Sequence, residues 1–242
     1  MKVTKIDFQD AEALTRLLSD GKKSRERFNL EINRHHCGWA IMHAMTVEAA
    51  SRGFAYKDTE QMRVYIREAA KWLTDANGKY GLMLLGLCGN GKTTMARAIA
   101  NIILKFSEKE LGYGNRKVMK FYTAKQICDM AAGDDKELKR LRELANEEMM
   151  IIDELGEEPL EVMIYGNLRT PMVDLLAERY DKQKMTIVTT NLGTDQLEAK
   201  YKDRIYDRFK EMFKIIKFEN ESYRAADDKM EHAGPVGDPQ NP

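Results

Sequence analysis

A chain of 242 residues with 39 Lys plus Arg against 39 Asp plus Glu carries no formal net charge. It is therefore not a general polyanion binder, and any nucleic-acid site must be a local patch. Cys37, Cys88 and Cys128 are scattered and odd in number, which excludes a disulfide framework and fits a reducing, cytoplasmic setting. No apolar run reaches membrane-spanning length, and the polar N-terminus does not suit a signal peptide, so no membrane partner is expected.

Residues 1–53 read as helical, with no strand signal. Leu14, Leu17 and Leu18 form a short apolar stripe before Gly21, and Phe28, Ile32, Trp39, Met42 and Met45 can line another helix face. This section is too short and polar for a core of its own. It is expected to be an N-terminal helical partner-binding region that docks on the rest of the chain or on a partner. His35, His36, Cys37 and His43 invite a metal reading, but their spacing matches no usual zinc pair set, so packing is expected. A second helix is predicted after Asp58, as N-cap with Gln61 three residues on. Met62, Tyr65, Ile66, Ala69 and Leu73 keep one of its faces apolar, and Asn77-Gly78 ends it. Phe54, Ala55 and Tyr56 lie where a base-binding pocket can form.

An apolar run at 82–85 then reads as a buried strand that ends at Gly86. Gly86-Leu87-Cys88-Gly89-Asn90-Gly91-Lys92-Thr93 matches G-x-x-x-x-G-K-[ST], the phosphate-binding loop, and Thr94 follows it. Glycines let the backbone turn tightly enough to aim N–H groups at phosphate oxygens. Lys92 has the reach for the β- and γ-phosphates, and the Thr93 hydroxyl can ligate Mg²⁺. Met95, Ile99, Ile102, Ile103 and Phe106 fall at helical spacing behind the loop. That helix offers its positive N-terminal end to the anion.

From Lys92 to Lys120 the chain is at its most basic: Lys92, Arg97, Lys105, Lys109, Arg116, Lys117 and Lys120 against Glu108 and Glu110. Both a solvated helix face and a nucleic-acid contact fit this charge. A turn-rich link at 112–117 leads to a strand predicted at 118–122, and a charged helix with Leu138, Leu141 and Leu144 as its seam is predicted over 136–148. Met149-Met150-Ile151-Ile152-Asp153-Glu154 reads as a buried strand with two carboxylates at its C-terminal tip, the end where open α/β sheets place ligands. Asp153 is expected to hold Mg²⁺ and Glu154 to polarise a water for attack on the γ-phosphate. A helix is predicted over 168–180, then a β-branched strand at 185–190 whose tip, Thr189-Thr190-Asn191, sets an amide within reach of that water. Arg204 and Arg208 are four apart on one helix face. They either make surface ion pairs, with Asp207 or Glu211, or supply an arginine finger to a neighbouring subunit. A strand-like run at 214–218 and Ser222-Tyr223-Arg224 follow, and the Pro/Gly-rich residues 225–242 read as a disordered tail.

This order of motifs resembles the DnaC/IstB-type AAA+ ATPases, replicative helicase loaders and transposition helpers, over residues 54–224. The resemblance implies an α/β fold: a P-loop AAA+ parallel sheet flanked by helices, with ATP and Mg²⁺ as cofactors. It implies a Walker A motif at Gly86–Thr93, a Walker B motif at Asp153 and Glu154, sensor 1 at Asn191, an arginine finger at Arg208 and a sensor-2-like arginine at Arg224. Residues 192–242 leave no room for a full helical lid, so a reduced lid is expected. By the same resemblance the chain is expected to form a ring or spiral oligomer, bind single-stranded DNA and engage a replicative helicase. A transposition helper ATPase, a nucleotide-gated adaptor with little turnover and a small-molecule kinase are the alternatives.

Overall fold

The computed structural model describes residues 10–12, 15, 27–107 and 117–223, the side chains of Asp203 and Arg204 excepted. The Leu14-Leu17-Leu18 stripe, most of the 112–117 link, Arg224 and the 225–242 tail lie outside the described residues.

Five short strands form one parallel sheet: β1 (Gly81–Gly86), β2 (Lys120–Thr123), β3 (Met149–Asp153), β6 (Met185–Thr190) and β7 (Phe213–Phe218), in the order β2-β3-β6-β1-β7. A parallel sheet is covered on both faces, so its inner strands are buried along nearly their whole length instead of on alternate residues. β1 shows this directly: Leu82 and Leu84 enter one core, Met83 and Leu85 the other. The first core lies under α1 (Arg34–Ala50), α2 (Glu60–Leu73) and α3 (Lys92–Phe106), and the second under α4 (Ala124–Ala131), α6 (Pro171–Asp181) and α7 (Thr194–Met212). A short helix, α5 (Asp135–Leu144), adds Leu144 to the second core.

The N-terminal section joins the sheet's own core. Cys37, Ile41 and Met45 of α1 are buried with Ile66, Ala70 and Ile99. Phe28 and Ile32 precede the helix in irregular chain, and Trp39 lies on its outer side, 54% exposed, with its indole N–H donated to His35 at 3.0 Å. Among the described residues no group of His, Cys, Asp and Glu is placed to hold a metal ion. No described helix is long and apolar enough to cross a membrane.

Several boundaries differ from expectation. The cap of α2 is Thr59, whose hydroxyl accepts the Met62 N–H at 3.1 Å, because Asp58 is drawn away into a two-pronged pair with Arg63. β2 begins at Lys120, two residues late, and the charged helix stops at Leu144. Helix α6 starts at Pro171, which suits a first helical position because it has no N–H to leave unpaired. The residues before it form a hairpin, β4 (Val162–Ile164) with β5 (Asn167–Arg169), closed by Tyr165 and Gly166 at φ 47° and 78°. Leu168, expected on the helix, sits there 61% exposed.

The base of the sheet is pinned by a fully buried arginine. Arg179 donates to the carbonyls of Leu144, Glu147 and Met185 at 2.7–2.9 Å and to the Thr186 hydroxyl. Burial pulls its guanidinium down to about 9. These bonds hold α6 against the start of β6 and the entry to β3, at the end of the strands away from the tips of β3 and β6.

Candidate nucleotide site

The site lies at the C-terminal tips of β1, β3 and β6, where strand order reverses and open α/β sheets bind ligands. The loop after β1 needs its glycines. Gly86, at φ 152°, sits where a Cβ would meet the Phe218 carbonyl oxygen at 2.3 Å. Gly91, at φ 97°, caps α3. Lys92 is buried, and its ammonium donates to Gly86 O at 2.7 Å, Leu87 O at 2.6 Å and Asn90 Oδ1 at 3.0 Å. Burial pulls that ammonium down to about 8, against the attraction of Cys88, Asp153 and Glu154.

The parallel register that sets Ile152 beside Val188 also brings Asp153 to Thr189. Asp153 Oδ1 accepts from Thr93 Oγ1 at 2.8 Å and from Thr189 Oγ1 at 2.5 Å. The Thr189 hydroxyl in turn accepts the Glu154 N–H at 3.0 Å. One hydroxyl thus ties both carboxylate residues to the tip of the neighbouring strand. Asp153 is buried, whereas Glu154 is exposed on the rim of the pocket. Thr93 and Asp153 present hard oxygen donors side by side, the donor chemistry Mg²⁺ takes.

The pocket brings together Gly89, Asn90, Gly91, Lys92, Thr93 and Thr94 with Glu154 and Asn191. Gly86 stays beneath it, against β7. Away from the phosphate loop the wall is built from Met45, Phe54, Tyr56, Met62 and Tyr223. The Tyr56 and Tyr223 hydroxyls are buried there without a partner among the described residues, and burial, with Asp58 nearby, pushes Tyr56 up to about 12. Tyr223 reaches the site because its N–H donates to Gly89 O at 3.0 Å, and Asn220 donates to Asn90 O at 3.2 Å. Tyr223 and Thr189 carry no role of their own in the sequence. Their only signal was membership of the Ser222-Tyr223-Arg224 and Thr189-Thr190-Asn191 runs.

Two other groups stand apart. Arg208 does not line the pocket. It lies against the end of α6, 5.3 Å over the Tyr180 ring and 3.8 Å from Asp181, instead of pairing with Asp207 or Glu211. The described members of the basic stretch are engaged internally. Arg97 stacks on Phe121, Lys117 meets Glu148, and Lys120 lies 3.9 Å from Glu147.

Residues 7–231 match the family described as IstB-like ATP binding protein. The chain belongs to this family. No curated protein sequence matches this IstB-like chain. Among solved structures it is similar to the DnaC helicase loader, with 20% identity and a TM-score of 0.50 over 69% of this chain and 94% of that one. It is also similar to DnaI, with 19% identity and a TM-score of 0.50 over 72% and 93%. AMPPCP-bound DnaA from Aquifex aeolicus matches with 16% identity and a TM-score of 0.49 over 73% and 53%. The IstB-like chain is thus an AAA+ protein of the DnaC/IstB type with the parallel P-loop sheet of that fold.

Proposed function

We propose that this protein is a Mg²⁺-dependent ATPase that works as an oligomer on single-stranded DNA and opens or delivers a replicative helicase. The observation that carries the ATPase reading is the Thr93-Asp153-Thr189 cluster, beside Lys92 and below the exposed Glu154. Thr93 and Asp153 hold the metal, which when bound neutralises charge on the β- and γ-phosphates. Lys92 exchanges its loop acceptors for phosphate oxygens. The N–H groups at the start of α3 take the remaining phosphate charge. Glu154 accepts the proton of the attacking water, and Asn191 orients that water. Tyr56 and Tyr223 enclose the base end, which gives their buried hydroxyls a partner. Arg224 is assigned to the same nucleotide.

The position of Arg208 outside its own pocket supports a finger that serves the neighbouring subunit. Such a finger is worth ~10³–10⁵ in turnover. The helicase and DNA parts of the reading draw on the family and on the likeness to the DnaC helicase loader. The section before residue 54, whose helix α1 has an exposed outer side, is the partner-binding region in this reading.

The test is ATP hydrolysis per subunit against protein concentration, at one salt concentration, with and without single-stranded DNA. Specific activity that rises with concentration, rises further with DNA and responds to a replicative helicase is expected. Arg208→Ala should be slow alone, and mixing it with Lys92→Ala should partly restore turnover. Stimulation by DNA without any response to helicase would replace loading with a transposition-helper role. Activity indifferent to concentration and DNA would overturn the shared site and favour an adaptor.

A further inference from the structure

Beyond the nucleotide pocket lies a buried acid that the proposed hydrolysis does not use. Glu158 is 2% exposed. One carboxylate oxygen accepts the Gly156 N–H at 2.7 Å, and the other accepts the Tyr201 hydroxyl. Lys200 stands 3.8 Å from that second oxygen and donates to the carbonyls of Gly156 and Glu158, both at 2.6 Å. Two adjacent residues of α7 therefore grip the turn that follows Asp153.

That turn is one the backbone does not adopt freely. Glu154 stands at φ 59° and Gly156 at φ 106°. A side chain other than glycine keeps a left-handed conformation only where its surroundings over-determine it. On one side β6 supplies the constraint. Thr189 Oγ1 takes the Glu154 N–H at 3.0 Å, Thr189 O takes the Leu155 N–H at 2.8 Å, and Thr190 Oγ1 donates to Leu155 O at 2.6 Å. On the other side the constraint is Glu158 with Lys200 and Tyr201. A buried acid and a half-buried amine lose hydration that apolar side chains of similar volume would not. Apolar packing would hold the turn in place but would not fix its direction.

We infer that Glu158, Lys200 and Tyr201 form a positioning network that aims Glu154 at the reacting water and couples that aim to α7. The helix bends at Lys202 (φ 55°, ψ 178°) directly after the grip and then carries Arg208. A change in the turn at one end of the grip therefore reaches the helix that bears the proposed finger at the other. This inference rests on the assignment of Glu154 made above.

The test compares Tyr201→Phe and Lys200→Met with the parent and with Glu154→Gln. Turnover is normalised to the fraction of chains that bind a fluorescent, non-hydrolysable ATP analogue, so that a mere loss of folded protein cancels. Expected is a fall of ~10–10² in kcat per bound nucleotide, the scale of a small misplacement of a reacting group, with KM for ATP and analogue affinity unchanged. In the Glu154→Gln background Tyr201→Phe should lower turnover no further, because groups that act as a unit are not additive. If Glu154→Gln is slow while both α7 variants turn over at the parent rate per bound nucleotide, the network is overturned and the ATPase reading stands. An additive loss in the double variant also overturns it. If Glu154→Gln itself turns over normally, the assignment of Glu154 falls and takes the network with it.

Discussion

Two turns meet at the nucleotide pocket, and they hold their shapes by opposite means. The loop after β1 owes its turns chiefly to its own residues: Gly86, Gly89 and Gly91 all lie at positive φ, and Lys92 fills the loop they make. The turn after β3 carries a glutamate at φ 59°, and residues far along the chain keep it there: Thr189 and Thr190 from β6, Lys200 and Tyr201 from α7. The first takes its left-handed turns from its own glycines, with Asn220 and Tyr223 bonded to two of its carbonyls. The second exists only once the strands have registered and α7 has docked. The glycine turns of the first loop are thus encoded within its own short motif, whereas the second turn depends on residues from two distant elements.

Four sets of substitutions separate the two turns. Gly86→Ala strikes the local turn at its backbone, since the new Cβ would meet Phe218 O at 2.3 Å. A loss of about 4 kcal/mol or more is expected in denaturant melts, and a near-normal melt would show that the loop is less glycine-dependent than its geometry indicates. Glu154→Gln should bind nucleotide normally and lose ~10²–10⁴ in turnover, the scale of a positioned general base; parent-rate hydrolysis would move that role elsewhere. Thr189→Val removes the hydroxyl that serves both Asp153 and Glu154. It should destabilise by ~1–3 kcal/mol, the cost of leaving buried polar groups unpaired, and should slow turnover at unchanged nucleotide affinity. The smallest effect is the most specific. Glu154→Gly and Glu154→Ala both remove the carboxylate, but only glycine relieves the backbone, so the glycine variant should melt as the more stable by ~1 kcal/mol. Equal melts would mean that the glutamate is not strained.

The same contrast explains what was legible in the sequence. The strand at 82–85 and its loop were readable because a doubly covered strand is a continuous apolar run and the loop's glycines mark themselves. Asp153 and Glu154 were readable from the four apolar residues before them. Thr189 was not, because its role comes from the register of β6 beside β3. Glu158 was less visible still, since an acid between a charged turn and a hairpin looks like any surface glutamate until Lys200 and Tyr201 arrive. The hairpin at 162–169 was hidden for a different reason: Leu168 and Met172 fall at helical spacing, and Pro171, which starts α6, was the better guide to where the helix begins. Tyr165-Gly166 lacks the Asn-Gly or Asp-Gly pair that most often announces a two-residue turn.

The two tryptophans occupy opposite settings, and this has a practical use. Trp72 is 3% exposed, donates to Lys79 O at 2.8 Å and lies under the Arg27 guanidinium. Trp39 is 54% exposed on the outer side of α1. The protein therefore contains two natural optical probes, one emitting from a dry interior and the other from water. Trp72→Phe leaves a single emitter on the helix proposed for partner binding, where any protein that covers it would shift the spectrum to the blue. Trp39→Phe leaves an emitter that responds only when the first core opens. Docking and unfolding can thus be followed separately, without a label, in the same fluorimeter.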